Sequence, residues 1–260
     1  MSVLQIIDRP SPNFDARTRP IDLVVLHYTG MQNAEIALAR LTDDTPTAGE
    51  FPGPWQRPDV LKDAPLPRVS AHYVVDEAGA VYRLVPEEHR AWHAGAASWE
   101  GEGDVNSRAV GIEIVNGGHD FGLPDFPDEQ VASVIELTRQ ILKRWDLKPH
   151  RVVAHSDIAP ERKSDPGEKF PWKRLADAGV SIWPKALVHA DIADSDPVIR
   201  AQERLAKLGY AVKATGSLDP QTRYVVMAFQ RRFRPSSITG QIDDETQAIL
   251  AALSLQMPRY

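Results

Sequence analysis

Apolar and polar positions follow two different periods along this chain, and the changes of period mark its elements. Residues 21–28 (IDLVVLHY) are a short apolar run rich in branched side chains, the pattern of a buried strand, and the run ends on His27. Residues 35–41 have helical spacing. The polar, Pro- and Gly-bearing stretch 42–68 that follows predicts a long surface loop or lid. Two strand-like runs, 70–76 and 80–85, flank Glu77, Ala78 and Gly79, and the glycine can take the positive φ that a hairpin needs. Residues 108–116 (RAVGIEIVN) predict a further strand whose alternation puts Glu113 on the face opposite Ile112 and Ile114. A carboxylate on a central strand demands a partner. Val131, Val134, Ile135, Leu142 and Trp145 recur at helical spacing and predict a helix over 129–145 with one face on the sheet. Residues 151–155 predict a strand that delivers His155, and the charged, proline-bearing stretch 156–172 predicts an irregular loop, where catalysts are commonly carried.

The tail has its own pattern: helices over 198–208, 220–233 and 244–253, joined by loops. Residues 215–222 (TGSLDPQT) and 239–246 (TGQIDDET) repeat one another. In each, an aspartate, Asp219 or Asp243, is placed to cap the helix that follows, and Pro220 falls where a first-turn proline is tolerated. A duplicated capping device accounts for the repeat without any ligand. The pattern predicts two domains, 1–195 and 196–260.

Composition changes this picture little. With 42% hydrophobic and 25% charged residues the chain reads as an ordinary soluble globular protein. The net charge of −6 is uneven: residues 1–195 carry 21 Lys/Arg against 30 Asp/Glu, and residues 196–260 carry 9 against 6. A small basic excess in the tail suits an anionic polymer, and it suits an ordinary solvated face equally well. No basic stripe with interleaved aromatics is present, so no nucleic-acid partner is predicted. There is no cysteine, so a zinc site must use nitrogen and oxygen ligands, which favours catalytic over structural zinc. The first residues lack a basic region followed by an apolar core, and no run nears the roughly 18 apolar residues of a membrane span. The expectation is a cytoplasmic protein with no membrane segment; a periplasmic one is the alternative if a leader is missing.

Eight histidines are present, and a lone histidine is more often structural than a ligand. His27 and His155 stand out because both end apolar strands, and Asp165 follows His155 by ten residues in a charged loop, with Lys163 two residues before it. Two imidazoles and a carboxylate can hold zinc with a fourth position open, the layout of a catalytic site.

The segments LHYTG (26–30), SAHYVVDEAGAVYRLV (70–85), RAWHAG (90–95), GIEIVN (111–116) and AHSDIAPERKSDPG (154–167) resemble, in order, the family 2 N-acetylmuramoyl-L-alanine amidases, zinc enzymes of the peptidoglycan-recognition-protein fold. The tail is similar to the three-helix peptidoglycan-binding modules. The resemblance implies an α/β fold: a mixed central sheet flanked by helices, with a small C-terminal three-helix domain. It implies one zinc ion per chain on His27, His155 and Asp165, with Glu113 serving the attacking water and Lys163 stabilising the oxyanion. It implies peptidoglycan or a muropeptide as substrate, cut between N-acetylmuramic acid and L-alanine. Arg90, Trp92 and His93 fall in a motif that lies near the family's substrate groove and are candidates for substrate binding, with the alternative that Trp92 and His93 only pack the groove wall; His72 is a candidate open to the same two readings. His89, His119, His150 and His189 match no ligand spacing and are expected on the surface. The stretch 42–68 is longer than the family usually has there. Rival classes are a binding module lacking a zinc ligand, a zinc peptidase, and a glycosidase working with two carboxylates. Because the tail has its own caps and apolar spacing, a chain cut before Asp196 is expected to fold and to keep its rate on small substrates; the alternative is a tail that packs against the catalytic domain and closes its groove, so that turnover and stability fall together when it is removed.

Overall fold

The computed structural model of the protein describes residues 4–51, 64–185 and 196–257. A six-stranded mixed sheet lies at its centre, in the order β1-β5-β4-β7-β3-β8. The strands are β1 (Ile6–Asp8), β3 (Leu23–Tyr28), β4 (Tyr73–Val75), β5 (Val81–Arg83), β7 (Ala109–Ile114) and β8 (Val152–Ala154); β2 (Phe14–Ala16) and β6 (His89–Ala91) form a separate antiparallel pair. β4, β7, β3 and β8 run parallel, and β4 turns back antiparallel to β5, which is the hairpin expected around Gly79. Helices α1 (Ala34–Thr42), α2 (Val105–Arg108), α3 (Asp128–Arg144), α4 (His155–Ile158) and α5 (Trp172–Asp177) belong to this part of the chain. The tail adds α6 (Pro197–Leu208), α7 (Pro220–Phe233) and α8 (Asp244–Gln256).

Alternation along the parallel strands sorts their side chains between two faces. Val24, Leu26, Val110, Ile112, Ile114 and Val152 point to one face, where they pack with Val131, Val134, Leu137 and Ile141 of α3. The opposite face receives Leu23, Val25, Ala109 and Val153, and these share a core with Leu205, Val226, Phe229 and Leu250 of the tail. α1 covers the rest of that second face through Ala37, Leu38 and Leu41 against Val74 and Val115.

The expectation of a separable tail therefore meets a correction. α6, α7 and α8 have the predicted spans and caps, Asp219 accepting from the Thr222 amide and Asp243 from the Thr246 amide, yet their apolar stripe is buried on the sheet. The repeat has a second basis that its own residues did not reveal. Gln202 and Gln230, both fully buried, reach from the preceding helix into each loop: the Gln202 amide donates to the Thr215 and Thr222 hydroxyls, and the Gln230 amide to those of Thr239 and Thr246. The link at 186–195, with the expected domain boundary, lies outside the described residues, as does the central part (52–63) of the expected 42–68 loop. The two ends of that loop are joined, the Ala48 amide donating to the Ala64 carbonyl and the Leu66 amide to that of Pro46. Among the described residues no helix is long and apolar enough to cross a membrane.

Candidate metal centre and active site

His27 and Glu113 are paired in register on β3 and β7, so both point to the face that carries Leu23 and Val25. Val25 pairs with Val153, which brings β8 alongside and sets the chain to turn off at His155. His155 does not end a strand as expected; it opens the one-turn helix α4. The expected irregular stretch beyond it folds back so that the Ser156 amide donates to the Asp165 carbonyl at 3.0 Å, returning Asp165 to the histidines. Ligands collect outside the carboxyl ends of parallel strands in such sheets, and this centre lies there.

Three donor atoms converge. His27 Nδ1 lies 2.8 Å from His155 Nδ1 and 3.2 Å from Asp165 Oδ2, and His155 Nδ1 lies 3.0 Å from the same oxygen. All three side chains are buried. The outer ring nitrogens fix the tautomers. His155 Nε2 is 3.1 Å from the Ala94 carbonyl, which can only accept, so Nε2 carries a proton and Nδ1 is the ring atom left to serve as a ligand. His27 Nε2 is 3.0 Å from His93 Nδ1; for His27 Nδ1 to be a ligand, Nε2 donates to His93. Burial, followed by the neighbouring His155, lowers the His27 pKa to about 4, so the imidazole is neutral near pH 7, as a ligand must be. Burial acts to raise the Asp165 carboxyl, but His155 and His27 outweigh it and hold that group well below the usual carboxylate range.

Glu113 Oε1 is 4.0 Å from His27 Nδ1, and its buried Oε2 takes no hydrogen bond among the described residues. Burial and the nearby Asp165 push its pKa well above the usual value, while Lys163 acts in the opposite direction. An orphaned carboxylate oxygen beside three buried donors fits a metal centre with room for a water and a reacting carbonyl. Lys163 lines a cleft of about 400 Å³ next to the triad, with Tyr28, Met31, His119 and Asp120.

The other expected site residues are placed differently. Arg90 is held by Asp15 and Asp104 at 3.0 and 2.9 Å. Trp92 is half-buried with the Arg68 guanidinium over its ring. His93 is buried behind His27 and lies close against β7, where a Cβ on Gly111 would come 2.5 Å from its ring. His72 has no exposed surface: its Nδ1 accepts from the Gly111 amide at 2.9 Å and its Nε2 faces the His89 carbonyl and Arg17. Burial and the Arg17 charge lower its pKa to about 3. His72 and His93 thus lie in the interior behind His27, and His72, a candidate to contact substrate, has no surface open to one in this structure.

Of the histidines expected on the surface, His89 and His150 are half-buried and His189 lies outside the described residues. His119 is exposed but lines the cleft, its Nδ1 accepting from the Tyr28 hydroxyl at 3.0 Å and its Nε2 facing Glu168 at the same distance. Sequence reasoning also passed over Arg162, whose guanidinium donates to the Ala94 and Ala96 carbonyls and ties the 156–165 loop to the RAWHAG turn. Its position one residue before Lys163 was the available signal.

Two histidines and a carboxylate gathered beside a glutamate oxygen that takes no hydrogen bond among the described residues are a donor set that could hold a metal ion, the class of arrangement found in metal-dependent hydrolases. The chain belongs to the N-acetylmuramoyl-L-alanine amidase family, whose model matches residues 17–168. Residues 194–250 match the model of a peptidoglycan binding domain. The chain is 37% identical over 251 residues to the Escherichia coli N-acetylmuramoyl-L-alanine amidase AmiD, covering 90% of this chain and 82% of the relative. It is 34% identical to the Haemophilus influenzae 1,6-anhydro-N-acetylmuramyl-L-alanine amidase AmpD, over 63% of this chain and 86% of that one. The structure of E. coli AmiD with anhydro-N-acetylmuramic acid-L-Ala-D-γ-Glu-L-Lys superposes with a TM-score of 0.74 at 36% identity, covering 91% of this chain and 89% of the other. Pseudomonas aeruginosa AmpDH3 does so with a TM-score of 0.71 at 32% identity, covering 92% and 93%. The mixed sheet with flanking helices expected from the sequence is the fold of these amidases.

Proposed function

We propose that the chain hydrolyses the amide bond between N-acetylmuramic acid, or its 1,6-anhydro form, and L-alanine in peptidoglycan or muropeptides. Residues 1–195 are the catalytic part and residues 196–260 the peptidoglycan-binding module. The observation that carries this reading is the buried convergence of His27, His155 and Asp165 beside the unpaired oxygen of Glu113. These ligands would hold one zinc ion. When bound, zinc supplies Lewis acidity to the scissile carbonyl and brings the pKa of water down to about 7.

The remaining steps belong to the chain's own residues. Glu113, with its raised pKa, takes the proton of the attacking water and passes it to the departing L-alanine nitrogen; a carboxylate that binds its proton more firmly than usual is suited to both transfers. Lys163 faces the cleft, and its ammonium offsets the charge that develops on the carbonyl oxygen. A glycosidase needs two carboxylates free to flank one bond, whereas here Asp165 is engaged by two histidines and Glu113 stands alone.

The test is hydrolysis of a defined anhydromuropeptide, with products read by mass spectrometry. Chelation should abolish release of the intact stem peptide and added zinc should restore it. Glu113→Gln should retain zinc while kcat falls about 100-fold or more. Full activity in protein shown to be metal-free would overturn the reading.

A further inference from the structure

The tail reaches the metal centre through one buried carboxylate. Asp157 has no exposed surface and lies in the third position of α4, the helix that His155 opens. Its Oδ2 accepts from the Ala154 amide at 2.8 Å, so it fastens the start of the turn that carries the ligand. Both carboxylate oxygens are then taken by the tail. The Arg232 guanidinium, 3% exposed, donates to Oδ2 at 2.5 Å, and the Tyr210 hydroxyl donates to Oδ1 at 2.6 Å.

Arg232 also donates to the Val152 carbonyl at 2.8 Å, so it grips the strand before His155 as well as the turn after it. Its own plane is fixed between Trp172 at 4.2 Å and Phe233 at 4.8 Å. The preceding residue makes a second bridge, Arg231 Nε lying 3.5 Å from Glu168, the carboxylate that faces His119 in the cleft. The last turn of α7 thus engages the 155–168 segment at two places, one near each end.

We propose that Arg232 and Tyr210 are positioning residues for the metal centre: through Asp157 they set the aim of His155, so the peptidoglycan-binding module helps to build the catalytic site on which it is docked. This rests on the metal reading above. It assigns the tail a task independent of wall binding. A buried carboxylate with three fixed donors cannot shift without losing them, and that rigidity is transmitted to the first turn of α4. Ligand geometry held from outside the ligand set commonly governs metal affinity by 10- to 100-fold.

The test uses the full chain and three readouts: zinc affinity by competition with a chromophoric chelator, kcat and KM on a small anhydromuropeptide, and melting of the metal-free protein. Tyr210→Phe removes only the hydroxyl and keeps the ring among Trp99 and Phe229. It should weaken zinc binding about 10-fold and lower kcat with KM little changed. Arg232→Lys should retain more zinc affinity than Arg232→Met, because it keeps the charge though not the fork. Leu250→Ala, a cavity in the same core far along the chain from Asp157, should lower the melting temperature and leave zinc affinity in place. The proposal is overturned if Tyr210→Phe and Arg232→Lys both hold zinc and turn over as the parent does. It is equally overturned if Leu250→Ala weakens zinc as much as they do at matched loss of stability, since the tail would then act only through the fold. A parent chain that binds no zinc would instead sink the metal reading and this proposal with it.

Discussion

The two faces of the central sheet are built from the same alternating strands and closed in different ways. On one face, Val24, Leu26, Ile112 and Ile114 meet α3, which follows β7 closely in the chain. On the other, the same strands surrender their carboxyl-end positions to His27, Glu113 and, just beyond β8, His155. What remains apolar there is a reduced patch, Leu23, Val25, Ala109 and Val153, lying beside a cleft that must stay open. A long helix laid across that face would cover the donors. The chain uses α1 at one side and the tail at the other, leaving the metal centre between them. A face that carries chemistry cannot also close itself, and its missing cover comes from the far end of the sequence.

The sharpest way to break this comparison is to delete residues 196–260. The cut would expose Leu23, Val25, Val153 and Trp99 and leave Asp157 buried without Arg232 and Tyr210. The expected outcome is loss of cooperative melting together with loss of zinc binding and small-substrate turnover. A monomeric, cooperatively melting, active remainder would show that the second face closes alone. Next in size are matched cavities, Phe229→Ala on the tail side and Leu137→Ala on the α3 side, each expected to lower stability by about 2–5 kcal/mol in urea unfolding. Both should retain one transition. A tail that melted first in Phe229→Ala would separate the two faces energetically.

A smaller effect is expected at His93, whose Nδ1 lies 3.0 Å from His27 Nε2. His93→Leu should weaken zinc by about 10-fold in calorimetric titration, because the His27 ring loses the partner that fixes its orientation. An unchanged affinity would mean that packing alone orients the ring.

A separate test, on the metal-free fold, is its pH dependence. Burial lowers His27 to about 4, His72 to about 3 and His93 well below the ordinary 6.5. The unfolded chain therefore takes up protons first as pH drops below about 6.5, and stability should fall from there toward pH 4. Glu113 works in the opposite sense, its raised pKa keeping a proton on the native state above pH 4.5, so it offsets one of the three histidines. The slope should be about 1.4 kcal/mol per pH unit for each net proton. A flat melting temperature across this window would place the histidines in contact with water.

Residues with strong periodicity were legible in the sequence. The strand ending on His27, the Glu113 strand with its alternation, the hairpin at Gly79 and the three tail helices have the expected form, because one buried face imposes a period on each. Three other strands were not legible. β1, β2 and β6 are as short as the legible strands of the hairpin, but β1 and β2 have no buried residue, β2 (FDA) being exposed throughout, and β6 buries only Ala91, so no buried face imposes an alternation on them. The triad was marked by residue type and family motif, and the structure brings its three donors together. The interior placement of His72 and His93 was hidden, since a histidine that faces another histidine has the same letter as one that faces a substrate. The docking of the tail was hidden for a related reason: an amphipathic stripe declares that it must be covered, but not by what. Gly209 held a clue of a kind that only coordinates disclose, for at φ +112 its missing Cβ leaves the space that the Trp99 ring occupies.

Shared closure of the second face also orders events during synthesis. A ribosome releases the chain from its amino end, and His27 emerges long before β7 and β8, which must flank its strand. Even with Asp165 in place, Leu23, Val25 and Val153 remain bare until α7, which ends at Phe233, has left the exit tunnel. A nascent chain therefore carries an exposed apolar patch beside its donor residues until the tail has emerged. The donor site matures only after the tail has emerged, and a chain terminated before Phe233 would be presented to chaperones and proteases as an unfinished fold.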